Sequence, residues 1–560
     1  MNRADISEKR IQFLTGALIG AVCFICVYGI RILNFSYDDW LFNGDMDLRQ
    51  HYVGWCHFRS SAWSFPAGLI DSLAYPSRVS VIYSDSIPMF ALFFKIFRSF
   101  LPLHFQYFGL YGLISFVLTG GIAALLLRHF TKNRIISISG SVFFIMSFTI
   151  LQRMYYHTAL ASQWLILLSF YIWLECMENM KERDKFIIWT FMAVLCVSIH
   201  SYYLPMVGLI MLAALIEDTL RARSAGQKTP VIAAREILVA ISFCLGALLT
   251  LYLLGAFYGD LGAASKYADG LGAFEANLNT FINPLNDGNI YGPLKTYGDF
   301  QYEGFAYLGG GVILLLGICL ISLIIKRLLK ETGRGKISLS PRRILLILVF
   351  AASCFLSMFP ILSFNDVRII GIPYPVPVKK LLGVFRSNGR LVWPAMYILI
   401  LASIVTASRI FKEKAACVII ALALIIQIFD ISKMAAGKHE QFFKRVSHEN
   451  MWDSDMLSMM AYGRDGFVFL YNDNDIVMDT AFYAYLKDMT VNSFYFARDV
   501  DEEINRNIEE NRDDILKGRP DKKKVYIMKK SDTEMSDALS LIENVTVYYD
   551  DEHIIAVSSL

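Results

Sequence analysis

The sequence predicts a polytopic α-helical membrane protein, with about eleven transmembrane helices and a soluble α/β domain at the C-terminus. Three observations carry this reading. Of the 560 residues 55% are hydrophobic, 14% aromatic and only 18% charged, with a mean hydropathy of +0.44; a chain so composed cannot hide its apolar surface in water. Eleven apolar runs reach or approach the length that crosses a hydrocarbon core of about 30 Å at ~1.5 Å rise per residue. The tail from Asp430 has no such run and alternates short β-branched and aromatic stretches with polar helical ones.

Taken in order, the first run, 12–30, follows Lys9 and Arg10 and leads into Arg31 with no small-residue cleavage pattern. It is therefore a retained helix and not a signal peptide. Further runs lie at 107–127, 135–151, 159–174, 186–199, 202–216, 236–257, 305–325, 344–362, 393–408 and 415–429. Every second connection is basic: Arg128/Lys132/Arg134, Lys181/Arg183/Lys185, Arg221/Arg223/Lys228/Arg235, Lys326/Arg327/Lys330/Arg334/Lys336/Arg342/Arg343 and Arg409/Lys412/Lys414. Cytoplasmic loops collect cations, so these and the basic N-terminus are placed inside. The segments 31–106, 152–158, 200–203, 258–304, 363–392 and the tail then face outward. Residues 86–100 (SIPMFALFFKIFRSF) are too short to span and carry Lys95 and Arg98. They are expected as an amphipathic helix in the outer interface, with Asp85 or Ser86 as N-cap.

This gives two expected domains, 1–430 with a long first outer loop at 31–106, and an extracytoplasmic α/β domain at 431–560. In the second, strands are expected at 467–471, 491–497, 524–529, 545–549 and 554–557, and helices at 480–487, 501–516 and 533–542. It is expected to fold on its own. The net charge of +3 with no long basic run leaves nucleic acid without an attracting field. The nine cysteines fall mostly in apolar runs and offer no disulfide framework. No Asp, Glu, Lys or Arg lies in the interior of an expected span, which argues against an ion-coupled transporter.

The uncommon polar groups gather in the outward segments instead. In the first loop Asp47, His51, Trp55 and Arg59 recur every fourth residue, so a helix would place them on one face. A carboxylate there can take a proton while a guanidinium holds phosphate. The same spacing also fits an interfacial helix with a solvated polar face. Asp45, Asp38 and Asp39 compete with Asp47 for the acidic role, and Asp85 is a further polar candidate. His157 and His200 sit beside tyrosines at outer helix ends, where aromatic belts are expected in any case. The outward loop 363–392 holds Arg368, Lys379, Lys380, Arg386 and Arg390, an unusual group of cations outside that asks for an anion. Glu303 precedes Gly309-Gly310-Gly311, a run suited to close helix approach.

An acidic loop directly after the first helix, then Trp63-Ser-Phe-Pro66 and an interfacial helix introduced by proline, resembles the GT-C superfamily of membrane glycosyltransferases. More closely, Asp47-x-x-Gln50-His51-x-x-Gly54-Trp55-x-x-Phe58-Arg59, Phe65-Pro66, Tyr75-Pro76, Asp85-Ser86-Ile87-Pro88 and Phe105 to Gly109 resemble an uncharacterised bacterial family of glycosyltransferase-like membrane domains. In the tail, Thr490 to Asp499 and Gly518 to Ile527 follow the same family pattern, so the resemblance covers most of the chain.

The resemblance implies an inverting transfer of sugar from a polyprenyl-phosphate donor to an envelope glycan or lipid acceptor, on the outer leaflet of a bacterial inner membrane. It implies that one acidic residue of the first outer loop takes the acceptor proton while cations bind the carrier phosphate; combined with the residue reading above, Asp47 and His51 are the expected catalytic residues, and Asp45, Arg59, Asp85, His157, His200, Glu303, Arg386 and Arg390 the expected substrate contacts. Asp45-Met46-Asp47 has the acid-x-acid spacing of that superfamily, and Asp38-Asp39 is a second pair. The Pro-Pro-Leu that often opens the interfacial helix is here Ser86-Ile87-Pro88. The carrier phosphate could be neutralised by arginine alone or by a divalent ion held between carboxylates. The competing functions are a transporter or flippase of lipid-linked saccharide and a non-enzymatic envelope assembly protein.

Overall fold

The computed structural model describes residues 3–258, 271–329, 340–472, 476–497, 501–550 and 552–558. Lys330, Arg334 and Lys336 of the expected basic connection, and Arg498 and Asp499 of the tail motif, lie outside the described residues. Two compact units form: one of Met1–Asn34, Tyr107–Leu248 and Ala264–Lys444, the other of Phe35–Gln106, Leu249–Ala263 and Arg445–Leu560.

The first unit is a helical bundle. Among the described residues, ten helices are long and apolar enough to cross a membrane, from Asp5–Tyr28 to Glu413–Phe443. The run expected at 186–199 is also helical, as Glu182–Ile199, but its first turn is Glu182-Arg183-Asp184-Lys185, which leaves too short an apolar stretch to qualify. The last helix continues well past the expected end at 429. Asp430 and Gln427 interrupt its apolar run but are fully buried and satisfied. Asp430 accepts from Tyr307 Oη (2.7 Å), Gly310 N (2.7 Å) and Asn289 N (2.9 Å), and Gln427 Oε1 accepts from Gly311 N (3.1 Å).

Ion pairs gather the basic connections at one end of this bundle. Lys9 pairs with Glu175, Arg128 with Asp5 (2.8 Å), Arg134 with Glu8, Lys185 with Asp218, and Arg342 with Glu217 (2.9 Å). Lys326 donates to the carbonyl of Ile410 (2.9 Å). The starts of 182–199 and 341–358 therefore meet the end of 203–224, and the start of 3–28 meets the ends of 108–130 and 158–179. Glu182–Ile199 thus runs antiparallel to Tyr203–Ser224 despite its short apolar stretch.

Glycines set the closest helix approaches. A Cβ on Gly16 would lie 2.3 Å from the carbonyl oxygen of Gly120, and one on Gly20 would lie 2.2 Å from that of Phe116. The expected packing role of Gly309 to Gly311 also holds: Gly309 has φ +84°, and a Cβ on Gly311 would meet the Ala423 carbonyl at 2.1 Å.

The second unit is built on a five-stranded sheet in the order 490–491, 466–469, 524–529, 553–558, 545–549. The first three strands are parallel and the last two antiparallel to their neighbours. Helices Val477–Leu486, Asp501–Leu516 and Thr533–Ser540 accompany it. Burial of Val468, Tyr526, Met528, Ile554, Met535 and Leu539 forms its core.

The first loop and the tail belong to one compact unit, so the domain division does not follow chain order. Backbone bonds join them: Tyr75 N donates to Val491 O (2.9 Å) and Val491 N to Ser72 O (2.8 Å), which extends the edge of the sheet. The helix Met46–Ser60 adds side chains. His57 bridges Ser72 Oγ (2.7 Å) and the Ala481 carbonyl (2.8 Å), and Gln50 donates to the Tyr495 carbonyl (2.9 Å).

Candidate functional site

The sequence-predicted residues fall in two places, one in each unit. In the bundle, four segments far apart in sequence converge on Glu303. Arg390 donates to it through both edges, Nε to Oε2 (2.7 Å) and Nη2 to Oε1 (2.9 Å). Arg153 Nη2 reaches Oε2 at 2.9 Å and the Glu303 carbonyl at 3.1 Å. The Arg390 guanidinium lies 4.8 Å above the ring of Tyr202, whose hydroxyl accepts from Ser387 N (2.7 Å). His157 stands beside Arg153, its Nδ1 3.4 Å from Nη1, and His200 Nδ1 accepts from Tyr202 N (3.3 Å). Each helix that ends or begins here has its other end at the basic rim, so the group lies at the opposite end of the bundle.

Burial alone would raise the Glu303 carboxyl, but the charges of Arg153 and Arg390 and the Arg390 hydrogen bond outweigh it and hold the carboxyl well below its ordinary range. Two guanidinium charges against one carboxylate leave one positive charge in excess. Glu303, Arg390 and Arg153 are nonetheless all buried, and both oxygens of the Glu303 carboxylate are taken up by the two guanidinium groups. This corrects the expectation for Arg390 and Glu303, which lock three chain segments together and do not offer groups to a substrate. Arg386 differs, being exposed, with its guanidinium 5.3 Å over the Phe274 ring.

In the second unit, Asp45 is the N-cap of the helix Met46–Ser60, accepting from Met46 N (2.6 Å). Asp47 lies in the first turn of that helix and is half-exposed. The stripe continuing from it points inward, which corrects the expectations for His51 and Arg59. His51 is 1% exposed, and burial pushes its imidazole down to about 3, so it is neutral and unsuited to exchanging protons with solvent. Arg59 donates to the carbonyls of Pro102 (2.7 Å), Leu101 (3.0 Å) and Leu103 (3.1 Å), leaving it committed to its own chain. Trp55 Nε1 donates to the Phe105 carbonyl (3.0 Å).

Asp85 does not cap the start of the helix Pro88–Ile96, whose N-cap is Ile87; with φ +49° it is instead the C-cap of the short 3-10 helix Val81–Ser84. Ser86 Oγ instead donates to the His51 carbonyl (2.7 Å). The helix Pro88–Ile96 is shorter than expected; Phe93 and Ile96 on it and Phe97 and Phe100 just after it are exposed. Lys95 faces inward, 3.9 Å from the centroid of the Phe58 ring; burial lowers its ammonium to about 8.

Among the described residues, one carboxylate group is close enough to hold a metal, Glu182, Asp218 and Glu236, and the ammonium of Lys185 already pairs with all three. The first-loop carboxylates do not converge: Asp38 is engaged by Tyr52 and His104, Asp39 accepts from His448 N (3.0 Å), and Asp45 caps a helix. These residues do not fit a metal centre.

Sequence reasoning missed three contributors. Arg153 and Tyr202 stand in the outward turns 152–158 and 200–203 with no local sign of a role of their own, and His104 belongs to none of the sequence motifs. The partner that gives each of them a role lies from 66 to 188 positions away, and no local pattern reports such a distance.

The family model described as "Domain of unknown function (DUF6311)" matches residues 17–432, and the model described as "DUF6311 C-terminal domain" matches 458–558. The chain belongs to the DUF6311 family. No curated protein matches it. In this DUF6311 chain the first family segment is physically composite: 17–432 supplies the helical bundle and also the loop 35–106 that belongs to the unit of the C-terminal domain.

Proposed function

We propose that this DUF6311 protein is a membrane glycosyltransferase of the inverting GT-C type, moving sugar from a polyprenyl-phosphate donor to a glycan or lipid acceptor on the outer leaflet. The observation that carries the proposal is the construction of the first loop. One folded body presents a half-exposed carboxylate, Asp47, on a helix N-terminus, together with the exposed apolar run Phe93, Ile96, Phe97 and Phe100. A base for a hydroxyl acceptor and a surface for a lipid belong together in an enzyme whose donor lies in the bilayer and whose acceptor comes from water.

In this reading the acceptor hydroxyl attacks the anomeric carbon from the face opposite the phosphate. Asp47 takes its proton, and the electron pair of the breaking bond goes to the phosphate oxygen. Asp47 is taken as the base because Asp38 is buried in hydrogen bonds and Asp45, although the more exposed of the pair, caps its helix. Asp47→Asn keeps the shape and removes the proton acceptor, so turnover should fall by ~10²–10⁴-fold with lipid binding retained. The assay is transfer from a polyprenyl-phosphate sugar by the protein in nanodiscs, read by mass spectrometry of lipid and product. Near-normal transfer by the variant would remove Asp47 from the mechanism; no transfer by the parent protein from any such donor would remove the function.

A further inference from the structure

Asp38 is 6% exposed, and its Oδ2 accepts from Tyr52 Oη (2.6 Å) and meets His104 Nδ1 at 2.9 Å. Tyr52 is fully buried, whereas about half of the His104 side chain is open to solvent. The contact with Asp38 fixes the tautomer, with the proton on Nδ1, and leaves Nε2 as the nitrogen that can meet a ligand. The chain carrying the imidazole is pinned from three directions. Arg59 binds the carbonyls of Leu101, Pro102 and Leu103, Tyr485 Oη donates to that of Leu103 (2.8 Å), and Trp55 to that of Phe105. Such a framework exceeds what a surface histidine needs.

The hydrogen bond and charge of Asp38, with a smaller contribution from Asp39, raise the imidazole above its ordinary value against the opposing effect of burial. Asp38 and Asp39 are the acidic groups acting on it, Tyr52 and Tyr485 adjoin as neutral phenols, and the Arg59 guanidinium is occupied with carbonyls. Asp38 thus favours the protonated imidazole, in which Nε2–H is the donor left over on a rigid mount. Immediately before His104 in the chain lies an exposed apolar run, with Phe93 and Ile96 on the helix Pro88–Ile96 and Phe97, Phe100 and Leu103 in the turns that follow it.

We propose that His104, held by Asp38, is the seat of the phosphate group of a polyprenyl phosphate, whose hydrocarbon chain lies along the run from Phe93 to Leu103. This rests on the glycosyltransferase reading and gives the donor the phosphate contact that Arg390, spent on Glu303, does not supply. An imidazolium backed by a carboxylate donates a charge-assisted hydrogen bond to a phosphate oxygen and steadies the negative charge that appears there as the sugar–phosphate bond breaks. Asp47 takes the proton at the acceptor while His104 holds the leaving phosphate.

The experiment uses the full chain in phosphatidylcholine nanodiscs and follows carbethoxylation of His104 by mass spectrometry. Polyprenyl phosphate at ten times its dissociation constant should slow modification by about tenfold, by simple occupancy. Inorganic phosphate at the same concentration should protect less, because it has no chain for the apolar run, and protection should fade as pH rises through the raised imidazole pKa. Asp38→Asn should shift that fade to lower pH, a change that a purely structural Asp38 would not produce. Equal modification rates with and without polyprenyl phosphate would overturn the proposal, as would equal protection by inorganic phosphate. Transfer without protection would defeat this seat and spare the enzyme; protection without transfer from any donor would defeat the enzymatic reading and spare the seat.

Discussion

Glu303 shows at the scale of one residue how burial changes what a polar group is for. In the sequence it stood before a glycine run, and Arg390, 87 positions later, stood in a loop rich in cations. Folded, each is the other's partner, and removing one leaves the rest charged and desolvated. Glu303→Gln strands two buried guanidinium groups and should cost about 3–5 kcal/mol, visible as a lower thermal midpoint in detergent. Arg386→Gln, at an exposed site, should leave that midpoint nearly unchanged; equal losses in the two variants would refute the distinction. The pH dependence has a definite sign. The folded carboxyl lies below its unfolded value of 4.5, so its contribution is complete above that pH and is lost as pH falls toward the folded pKa. Between pH 7 and 3 the parent protein should therefore lose more stability than Glu303→Gln does.

At the scale of elements, regular segments were legible where local chemistry decides them. The strands 524–529 and 545–549 and the helix Asp501–Leu516 stand where the sequence placed them, because alternation and amphipathic spacing are local signals. The end of Glu413–Phe443 was not legible. Asp430 resembles a terminus until its four donors, the backbone of Asn289, Ile290 and Gly310 and the hydroxyl of Tyr307, are known. Close packing also hides in plain sequence: Gly16 and Gly20 are four apart, the small-residue spacing that lets transmembrane backbones touch. Gly20→Val should force the helix away from Phe108–Phe130 at a cost of about 1–3 kcal/mol. Gly317→Ala, where an added Cβ meets nothing within 4 Å, is the matched control. If both variants melt alike, the crossing is looser than these distances imply.

For the whole molecule, the informative departure is that compact units and chain order disagree. A linear reading sees a loop and, some 340 residues later, a separate tail, since nothing local links Ser72 to Val491. The contacts make 35–106 a structural part of the tail's unit. It continues the sheet edge through the backbone of Ser72 and Tyr75, and it seats His57 against Ala481. The expectation that the tail folds by itself must therefore change. A fragment from Arg445 onward keeps its sheet core around Met528 and Met535 but loses the backbone partners of Val491 and the cover over Val477–Leu486. Unpaired edge groups and uncovered apolar surface favour association. The lone fragment should thus aggregate or melt without a cooperative transition, whereas co-expression with residues 35–106 in mild detergent should yield a complex that co-purifies and unfolds in one step. His57→Ala in the 35–106 partner should weaken that complex, because it removes both bonds of the bridge to Ser72 and Ala481. A lone tail as stable and cooperative as the complex would show that the first loop merely rests against it.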